Sequence, residues 1–258
     1  MEIKLNNVTC GYHSIDVLCD INLVFKTGEF WCILGANGIG KTTLFKSLLG
    51  FIELKSGEIL IYKQNAKRLS TKEIANYISY VPQAKSYSLQ YSVLDIVLMG
   101  RANHIRKFSP PTEKDYAIAR EMLEKLGIGN LSNSMYSEIS GGEQQIVLIA
   151  RALAQEAKFI IMDEPASNLD FENQKKILDV MKALASKDAG IIMSSHSPDH
   201  AFYCNADVVL IKKDKSIVQG KANDVITSDN LKGGYGVDVE IMHGTDPCGN
   251  PIRACRLI

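Results

Sequence analysis

Short, continuously apolar runs recur along the chain, at residues 30–34, 159–162, 191–193 and 208–211. A run that is apolar at every position is typical of a strand buried on both faces of a parallel sheet. Between several of these runs, apolar residues lie three or four positions apart, as in a helix with one buried face. Because strands and helices alternate, the pattern predicts an α/β domain with a mostly parallel sheet.

The N-terminal part of the chain follows a different pattern. Ile21, Leu23 and Phe25 alternate with polar or less apolar residues, and a second apolar run at residues 59–62 follows a Ser-Gly turn. Alternation of this kind is typical of strands with one buried face. Both segments are therefore predicted strands of an antiparallel sheet.

The middle of the chain, from about residue 84 to 155, is predicted to be a helical insertion. Thr112 has the position of an N-cap before an apolar-striped helix, and Gly127 has the position of its C-terminal stop. The α/β core, with its antiparallel part, then comprises residues 1–83 and 156–258. We expect the whole chain to form a single domain of this composite kind.

Composition and charge limit the partners that the chain can have. Apolar residues make up 46% of the 258 positions, which allows a substantial core. The 29 basic and 29 acidic residues cancel, so no overall field draws the chain onto nucleic acid or an anionic bilayer. No segment approaches the roughly 20 apolar residues that cross a bilayer, and no signal-peptide run opens the chain. We expect a cytoplasmic protein with no nucleic-acid partner.

The six cysteines show no paired metal-ligand spacing. Several lie in or beside apolar runs, where free thiols of a reducing compartment are expected. Cys248 and Cys255, near the C-terminus, leave open a disulfide bridge or a redox site.

A glycine-rich loop follows the apolar run at residues 30–34 and precedes an apolar-striped helix. Its sequence, Gly-Ala-Asn-Gly-Ile-Gly-Lys-Thr at residues 35–42, fits the phosphate-binding P-loop, and the strand–loop–helix context is the one that this pattern requires. Glycines let backbone N–H groups turn toward phosphate oxygens, and the helix start adds its positive dipole end. A plain glycine-rich turn with a solvated lysine is the alternative. The predicted ATP-binding residues here are Gly35, Asn37, Gly38, Gly40, Lys41, Thr42 and Thr43.

Two carboxylates, Asp163 and Glu164, end the apolar run at residues 159–162. A parallel sheet places this strand end at the same edge as the glycine-rich loop. Asp163 and the Thr42 hydroxyl are then suited to bind Mg²⁺, and Glu164 is suited to act as general base for an attacking water. A solvated turn is the alternative for such a pair.

A second anion site is predicted at Ser140, Gly141 and Gly142. They precede a helix with an apolar face, so Ser140 has the position of its N-cap, and the two glycines leave the first-turn N–H groups open to an anion. Unlike the first loop, this site has no lysine and no preceding strand. A flexible helix cap is the alternative.

Residues 139–143, Ile-Ser-Gly-Gly-Glu, closely resemble the signature motif of the ABC (ATP-binding cassette) ATPases, and four further residues match that family in the same order. Tyr12 resembles the aromatic residue that stacks on adenine, Gln83 the glutamine that links Mg²⁺ to the membrane partner, Asp170 the end of the D-loop (residues 167–170), and His196 the histidine that holds the γ-phosphate. Taken singly, these four also fit a surface aromatic, a solvated loop residue, a helix cap and a structural histidine.

The resemblance implies a P-loop NTPase (RecA-like) core and a working unit of two copies. In this family the signature segment of one copy closes over the nucleotide of the other. The residues assigned this role in trans are Ser140, Gly141, Gly142 and Glu143. The implied Mg²⁺ ligands are Thr42, Gln83 and Asp163, and the implied catalytic residues are Glu164, His196 and Gln83. ATP binding then closes the dimer and hydrolysis separates it, which drives a membrane domain.

The signature motif departs from the usual family sequence at both ends. Ile139 stands where leucine is usual, and Glu143 stands where glutamine is usual. The Ser-Gly-Gly element between them is intact. These departures therefore bear on the fine tuning of nucleotide affinity.

Residues 91–104 and 235–239 resemble segments of the ABC ATPases that import iron siderophores, haem or cobalamin. Since no spanning segment is predicted, the pore must be a separate polypeptide. The resemblance implies an integral membrane permease as partner, an indirect partnership with a substrate-binding protein, and a position at the cytoplasmic face of the membrane. The segment around Gly100 also fits a simple helix end.

Other functions stay open at this point. A soluble ABC ATPase, such as one for iron–sulfur cluster assembly, shares the motifs, and co-purification with a membrane protein distinguishes it. An importer of another substrate, such as molybdate, fits the sequence equally well. A P-loop kinase of small molecules leaves Ser140 and His196 unexplained.

Overall fold

The computed structural model describes residues 1–83, 90–106, 109–167, 169–246 and 249–258. The strands in these ranges are β1 (Glu2–Tyr12), β2 (Ile15–Lys26), β3 (Phe30–Leu34), β4 (Ser56–Ile61), β5 (Gln64–Asn65), β6 (Ile78–Val81), β7 (Phe159–Met162), β8 (Gly190–Ser195), β9 (Asp207–Ile211), β10 (Ile217–Lys221), β11 (Val239–Thr245) and β12 (Pro251–Leu257). The α-helices are α1 (Lys41–Leu48), α2 (Thr71–Ala75), α3 (Val93–Leu98), α4 (Glu113–Lys125), α5 (Gly141–Ala154), α6 (Phe171–Ala185), α7 (Pro198–Cys204), α8 (Ala222–Val225) and α9 (Ser228–Tyr235).

A six-stranded sheet, in the order β10-β9-β3-β8-β7-β6, forms the centre of the fold. All neighbouring strands from β9 to β6 run parallel, and only the edge strand β10 is antiparallel. The continuously apolar runs arise because both faces are covered. In β7, Ile160 and Met162 belong to one apolar cluster, whereas Phe159 and Ile161 belong to the other. The predicted parallel sheet is confirmed.

An antiparallel sheet, in the order β2-β1-β4-β5, covers one side of the core. Leu5 of β1 pairs with Leu23 of β2 on one side and with Ile59 of β4 on the other. The buried residues of this sheet share a cluster with Leu44 and Phe45 of α1. The predicted antiparallel strands are confirmed, and the contact keeps α1 between the two sheets.

Helices carry the described part of the chain between β6 and β7. Thr112 and Asp115 form the capping box of α4, and Gly127, at φ +66°, follows the end of that helix. These are the predicted start and stop signals. The predicted boundaries of the helical insertion at 84 and 155 stay a prediction, since residues 84–89 lie outside the described ranges.

Arg101 joins the helices of this region to the chain that enters β7. The α3 helix ends at Leu98, and a 3₁₀ helix continues from Met99 to Asn103. Arg101 is buried, lies 3.2 Å (Nε to Oδ1) from Asp115 and donates to the carbonyl of Ala154 at 2.7 Å and to the Glu156 carboxylate. Arg101 thus connects the segment that follows α3 to α4 and to the end of α5.

The five cysteines in the described ranges are free thiols, as predicted. Burial raises the pKa of Cys204 and of Cys255 to about 12, so both stay protonated near neutral pH. Cys248, and with it the alternative of a bridge to Cys255, lies outside the described residues. Among the helices in those ranges, none has the length and apolar character that crossing a bilayer demands.

Candidate nucleotide-binding site

The loop between β3 and α1 depends on glycine at particular positions. Gly35, Gly38 and Gly40 have positive φ angles of +146°, +74° and +125°. A Cβ atom on Gly35 would lie 2.8 Å from the Ile211 carbonyl oxygen, and one on Gly40 would lie 2.8 Å from Cγ1 of Val17. Only glycine adopts these φ angles without strain, and only a residue without a Cβ atom lets the loop pass this close to Ile211 and Val17.

The start of α1 has the properties of an anion site. Gly40 is its N-cap, no side chain caps the helix, and its first turn has no acidic residue. By contrast, α2 and α3 have serine caps, Ser70 and Ser92, in complete capping boxes. The uncapped N–H groups and the positive dipole end of α1 are therefore left for a negatively charged group.

A cavity of about 280 Å³ opens beside this loop. Its lining residues are Asn37, Gly38, Ile39, Gly40, Lys41, Thr42, Thr43, Gln83 and Glu164. The Lys41 ammonium donates to the carbonyls of Gly35 at 2.8 Å and of Ala36 at 3.3 Å. Its charge is paired with Glu164, with Nζ 3.4 Å from Oε1. The buried cation thus lies inside the loop, within reach of an anion in the cavity.

Thr42 and Asp163 meet at the carboxyl edge of the parallel sheet. The Thr42 hydroxyl donates to Oδ2 of Asp163 at 2.6 Å, although the residues are 121 positions apart. The sequence predicted this juxtaposition from the direction of the strands. A hydroxyl and a carboxylate oxygen this close are ligands of the type that Mg²⁺ prefers, so the residues present fit that ion.

The Glu164 carboxylate lies among three other predicted site residues. It contacts Lys41, accepts a hydrogen bond from Nε2 of Gln83 at 3.3 Å, and lies 3.9 Å from Nδ1 of His196. The Glu164 backbone has φ +48°, in the left-handed region. Non-glycine residues held in such a conformation cluster at functional sites.

Two residues with direct contacts to the site were not predicted as site residues. Ser194 donates to Oδ1 of Asp163 at 2.6 Å and accepts from the Glu164 N–H at 2.9 Å. The Tyr235 hydroxyl accepts a hydrogen bond from the Gly35 N–H at 3.2 Å. Burial raises the pKa of Tyr235, so it stays a neutral hydroxyl. The position of Ser194 directly after the apolar run at residues 191–193 was the available signal for that residue. Tyr235 was noted only for the resemblance of its segment.

The four residues assigned a role in trans, Ser140, Gly141, Gly142 and Glu143, do not line this cavity. They form the start of α5, where the Ser140 N–H donates to the Glu143 carboxylate at 2.8 Å and the Glu143 N–H donates to the Ser140 hydroxyl at 3.3 Å. Space is open around Gly141, where an added Cβ would meet no atom within 4 Å. Ser140 is the predicted N-cap and forms a complete capping box with Glu143, so within one chain this segment has the form of the helix-cap alternative.

Tyr12 and Asp170 also lie outside the cavity lining. Tyr12 is exposed at the end of β1, where it pairs with Ile15. Asp170 caps α6 by accepting from the Asn173 N–H at 2.8 Å, which matches the helix-cap alternative for this residue. Asn168, within the predicted D-loop, lies outside the described residues.

Sequence relatives cover nearly the whole chain. A Haemophilus influenzae protein described only as an ABC transporter ATP-binding protein is 36% identical over 94% of this chain and 92% of its own length. A Helicobacter pylori protein named for iron chelatin transport is 32% identical over 95% of this chain and 97% of its own. A Haemophilus influenzae molybdate import ATP-binding protein is 36% identical over 82% and 78% of the two chains.

Solved structures show the same fold. A metal-chelate type ABC transporter in an inward-facing conformation has a chain 30% identical to this one, with a TM-score of 0.87 over 99% of this chain and 97% of that chain. A dimeric ATP-binding cassette in a post-hydrolysis state, bound to ADP and Pi, is 27% identical, with a TM-score of 0.75 over 85% and 98% of the two chains.

A family profile described as ABC transporter matches residues 18–167, from β2 through the P-loop and the signature segment to the paired carboxylates. This match spans more than half of the 258 residues. The chain therefore belongs to the ATP-binding subunits of the ABC transporter family.

Proposed function

We propose that this chain hydrolyses ATP as the motor subunit of an importer for a metal chelate, such as an iron siderophore, haem or cobalamin. One observation carries the proposed site: Lys41 lies 3.4 Å from Glu164, beside the 2.6 Å contact between Thr42 and Asp163. A buried cation, a pair of Mg²⁺-type oxygen ligands and a carboxylate base are the parts that phosphoryl transfer to water requires.

The phosphates of ATP are proposed to bind in the loop cavity, facing the N–H groups of the first turn of α1. Small-molecule sites commonly measure about 300 to 1,000 Å³, so a cavity of about 280 Å³ suits the phosphates rather than a whole nucleotide. The adenine base of ATP then extends along the protein surface. Tyr12 is exposed on the β1–β2 hairpin whose Val17 approaches Gly40, which supports its role in stacking on adenine.

Within this proposal Thr42, Asp163 and Gln83 would hold Mg²⁺, which would supply positive charge to the phosphate oxygens. Lys41 exchanges its carbonyl contacts for phosphate oxygens. Glu164, freed from Lys41, orients the attacking water and accepts its proton. His196, 52% exposed and next to Glu164, is free to reach the outermost phosphate.

A second copy of the chain is proposed to complete the site. Ser140, Gly141, Gly142 and Glu143 form a helix start that does not line the cavity of their own chain. The dimeric cassette among the structural relatives supports a paired arrangement.

A membrane permease is proposed as the other partner, so that the chain lies at the cytoplasmic face of the membrane. A groove of about 310 Å³ separates the α1–β6 side of the core from the helical region, and the exposed apolar residues Phe51 and Met99 line it. Exposed apolar residues around a groove mark protein interaction sites. The division into a core (1–83 and 156–258) and a helical region (84–155) is part of this proposal, because the groove lies between them.

The choice of a metal chelate as substrate rests on resemblance. The relatives are named for iron chelatin, molybdate, manganese and cobalamin. Their ATP-binding subunits are similar, so the transported species is selected elsewhere, in the permease and in a substrate-binding protein. The metal-chelate type transporter, which matches 99% of this chain, favours a chelate over a simple oxyanion.

The Glu164→Gln variant tests the ATPase cycle. It removes the base and keeps the side-chain size, so with ATP and Mg²⁺ it should elute as a dimer on size-exclusion chromatography and show no turnover. ADP should leave it monomeric. The same change at the exposed Glu53 is the control and should hydrolyse ATP like the wild type. Brisk hydrolysis by Glu164→Gln contradicts the proposal. So does a chain that hydrolyses ATP as a monomer at a rate that Ser140→Ala leaves unchanged.

Transport is tested with the permease itself. The chain is co-expressed with a permease of the metal-chelate importer type, and the purified complex is placed in vesicles. ATP-dependent uptake of labelled ferric siderophore or cobalamin is the expected result. Uptake of molybdate alone, or failure of the chain to co-purify with any membrane protein, contradicts the metal-chelate assignment.

A further inference from the structure

We propose that Ser194 is a positioning residue of the ATPase site, whose buried hydroxyl holds the metal-binding carboxylate and the backbone of the general base in one arrangement. Ser194 lies on β8 and is fully buried. The inference rests on the proposed roles of Asp163 and Glu164. It adds a residue that neither touches the nucleotide nor lines the cavity.

The Ser194 hydroxyl is bonded on both sides. It donates its single proton to Oδ1 of Asp163 at 2.6 Å and accepts the Glu164 N–H at 2.9 Å. The other oxygen of Asp163, Oδ2, accepts the Thr42 hydroxyl at 2.6 Å. One oxygen of the carboxylate is thus held toward the sheet, which keeps the other directed at Thr42 and the cavity.

The second bond acts on the backbone of Glu164. A φ of +48° is disfavoured for a residue with a Cβ atom and persists only where neighbours hold it. The N–H is held by Ser194, and the carbonyl accepts from the Ser167 hydroxyl at 3.0 Å. This backbone conformation sets the direction of the Glu164 side chain toward Lys41 and Gln83.

The neighbouring serine shows that the arrangement is specific to one position. Ser195 lies on the opposite face of β8 and bonds to the Ser197 N–H at 3.0 Å and to Nδ1 of His200 at 3.0 Å. It shapes the turn that carries His196. Ser79 on β6 is another buried serine of the same sheet, and its hydroxyl makes one long contact, 3.5 Å, with the Phe159 carbonyl. Ser79→Ala is therefore a matched control for the loss of a buried hydroxyl.

The test compares nucleotide binding with and without the metal. Wild type, Ser194→Ala, Ser194→Thr and Ser79→Ala are titrated with a non-hydrolysable ATP analogue, once with Mg²⁺ and once with EDTA, by calorimetry. In Ser194→Ala the gain in affinity due to Mg²⁺ should fall about tenfold, the ratio expected for one hydrogen bond to a charged group. The affinity in EDTA should stay close to that of the wild type, because the phosphate loop is unchanged. The ATPase rate should fall as well.

Ser194→Thr keeps the hydroxyl and should restore the Mg²⁺ gain, and Ser79→Ala should retain it. Thermal unfolding of all variants separates this effect from a loss of fold. Retention of the full Mg²⁺ gain by Ser194→Ala, or an equal loss in Ser79→Ala, overturns the proposal. A wild-type protein that binds no nucleotide under either condition overturns the proposed function instead.

Discussion

Gly40→Ala should destabilise the protein far more than Gly38→Ala, although the two glycines belong to one loop. Both have positive φ, +125° and +74°. They differ in their surroundings. A Cβ on Gly40 would lie 2.8 Å from Cγ1 of Val17 and 3.0 Å from Cγ of Leu18, whereas one on Gly38 would have no atom within 4 Å.

The expected magnitudes follow from these contacts. At Gly38, alanine meets only the backbone preference, about 1 kcal/mol. At Gly40, alanine adds about 1 to 3 kcal/mol of overpacking to a backbone cost of about 1 to 3 kcal/mol, or about 4 kcal/mol in all. The gain from a less flexible unfolded chain is the same for both variants, about 0.4 to 1 kcal/mol, and cancels. The free energies of unfolding should therefore differ by about 3 kcal/mol.

Urea unfolding at fixed pH, monitored by circular dichroism, measures this difference. The slopes of the unfolding free energy against urea concentration should be equal for the two variants if only the native state changes. Nucleotide binding is measured on the same samples. Gly40→Ala should also lose ATP affinity, because relief of the contact with the β1–β2 hairpin moves the loop. Equal unfolding free energies for the two variants would show that the loop does not depend on its packing against β2.

Further predictions concern single groups. Lys41→Ala should weaken ATP binding by about tenfold or more, since a charge-assisted contact to phosphate is lost, and undiminished affinity by calorimetry would argue against the P-loop assignment. Tyr235→Phe removes only the hydroxyl that accepts the Gly35 N–H, so the KM for ATP should rise about fivefold with kcat unchanged; a change confined to kcat would place its effect elsewhere. The pKa of Asp115 is lowered from 3.8 to about 2, and the hydrogen bonds from Thr112 are the largest cause. Its contribution to stability is then complete above pH 3.8 and is lost as the pH falls toward 2. Between pH 6 and 3, the free energy of unfolding measured with urea should fall less for Asp115→Asn than for the wild type. An equal fall in both proteins would contradict the lowered pKa of Asp115.

Local pattern in the sequence was enough for the strand–loop–helix unit and its neighbours. The apolar run at residues 30–34 is β3, with the same bounds. The glycines, the lysine and the helix start after it are consecutive, so their geometry follows from nearby residues. The meeting of Thr42 and Asp163 was also predictable, because parallel strands bring their carboxyl ends to one edge.

The C-terminal ribbon of β11 and β12 was not predicted, and its environment explains why. Val239 is buried at the start of β11, but from Met242 to Thr245 the strand is exposed on both faces. A strand without a buried face needs no alternation of apolar and polar residues, and that alternation is the pattern that predicts a strand from sequence. Its pairing, Val239 with Leu257, is visible only in three dimensions.

The sequence by itself determined which segments are buried, where the chain turns and which residues carry charge into the site, because these depend on residue type and on neighbours a few positions away. Only the tertiary structure decided which distant groups hold that site in place. Ser194 is 31 residues from Asp163, and Tyr235 is 200 residues from Gly35. Such contacts are set by how the strands and α9 pack together, and a hydrogen bond between groups brought together by packing leaves no periodic trace along the chain.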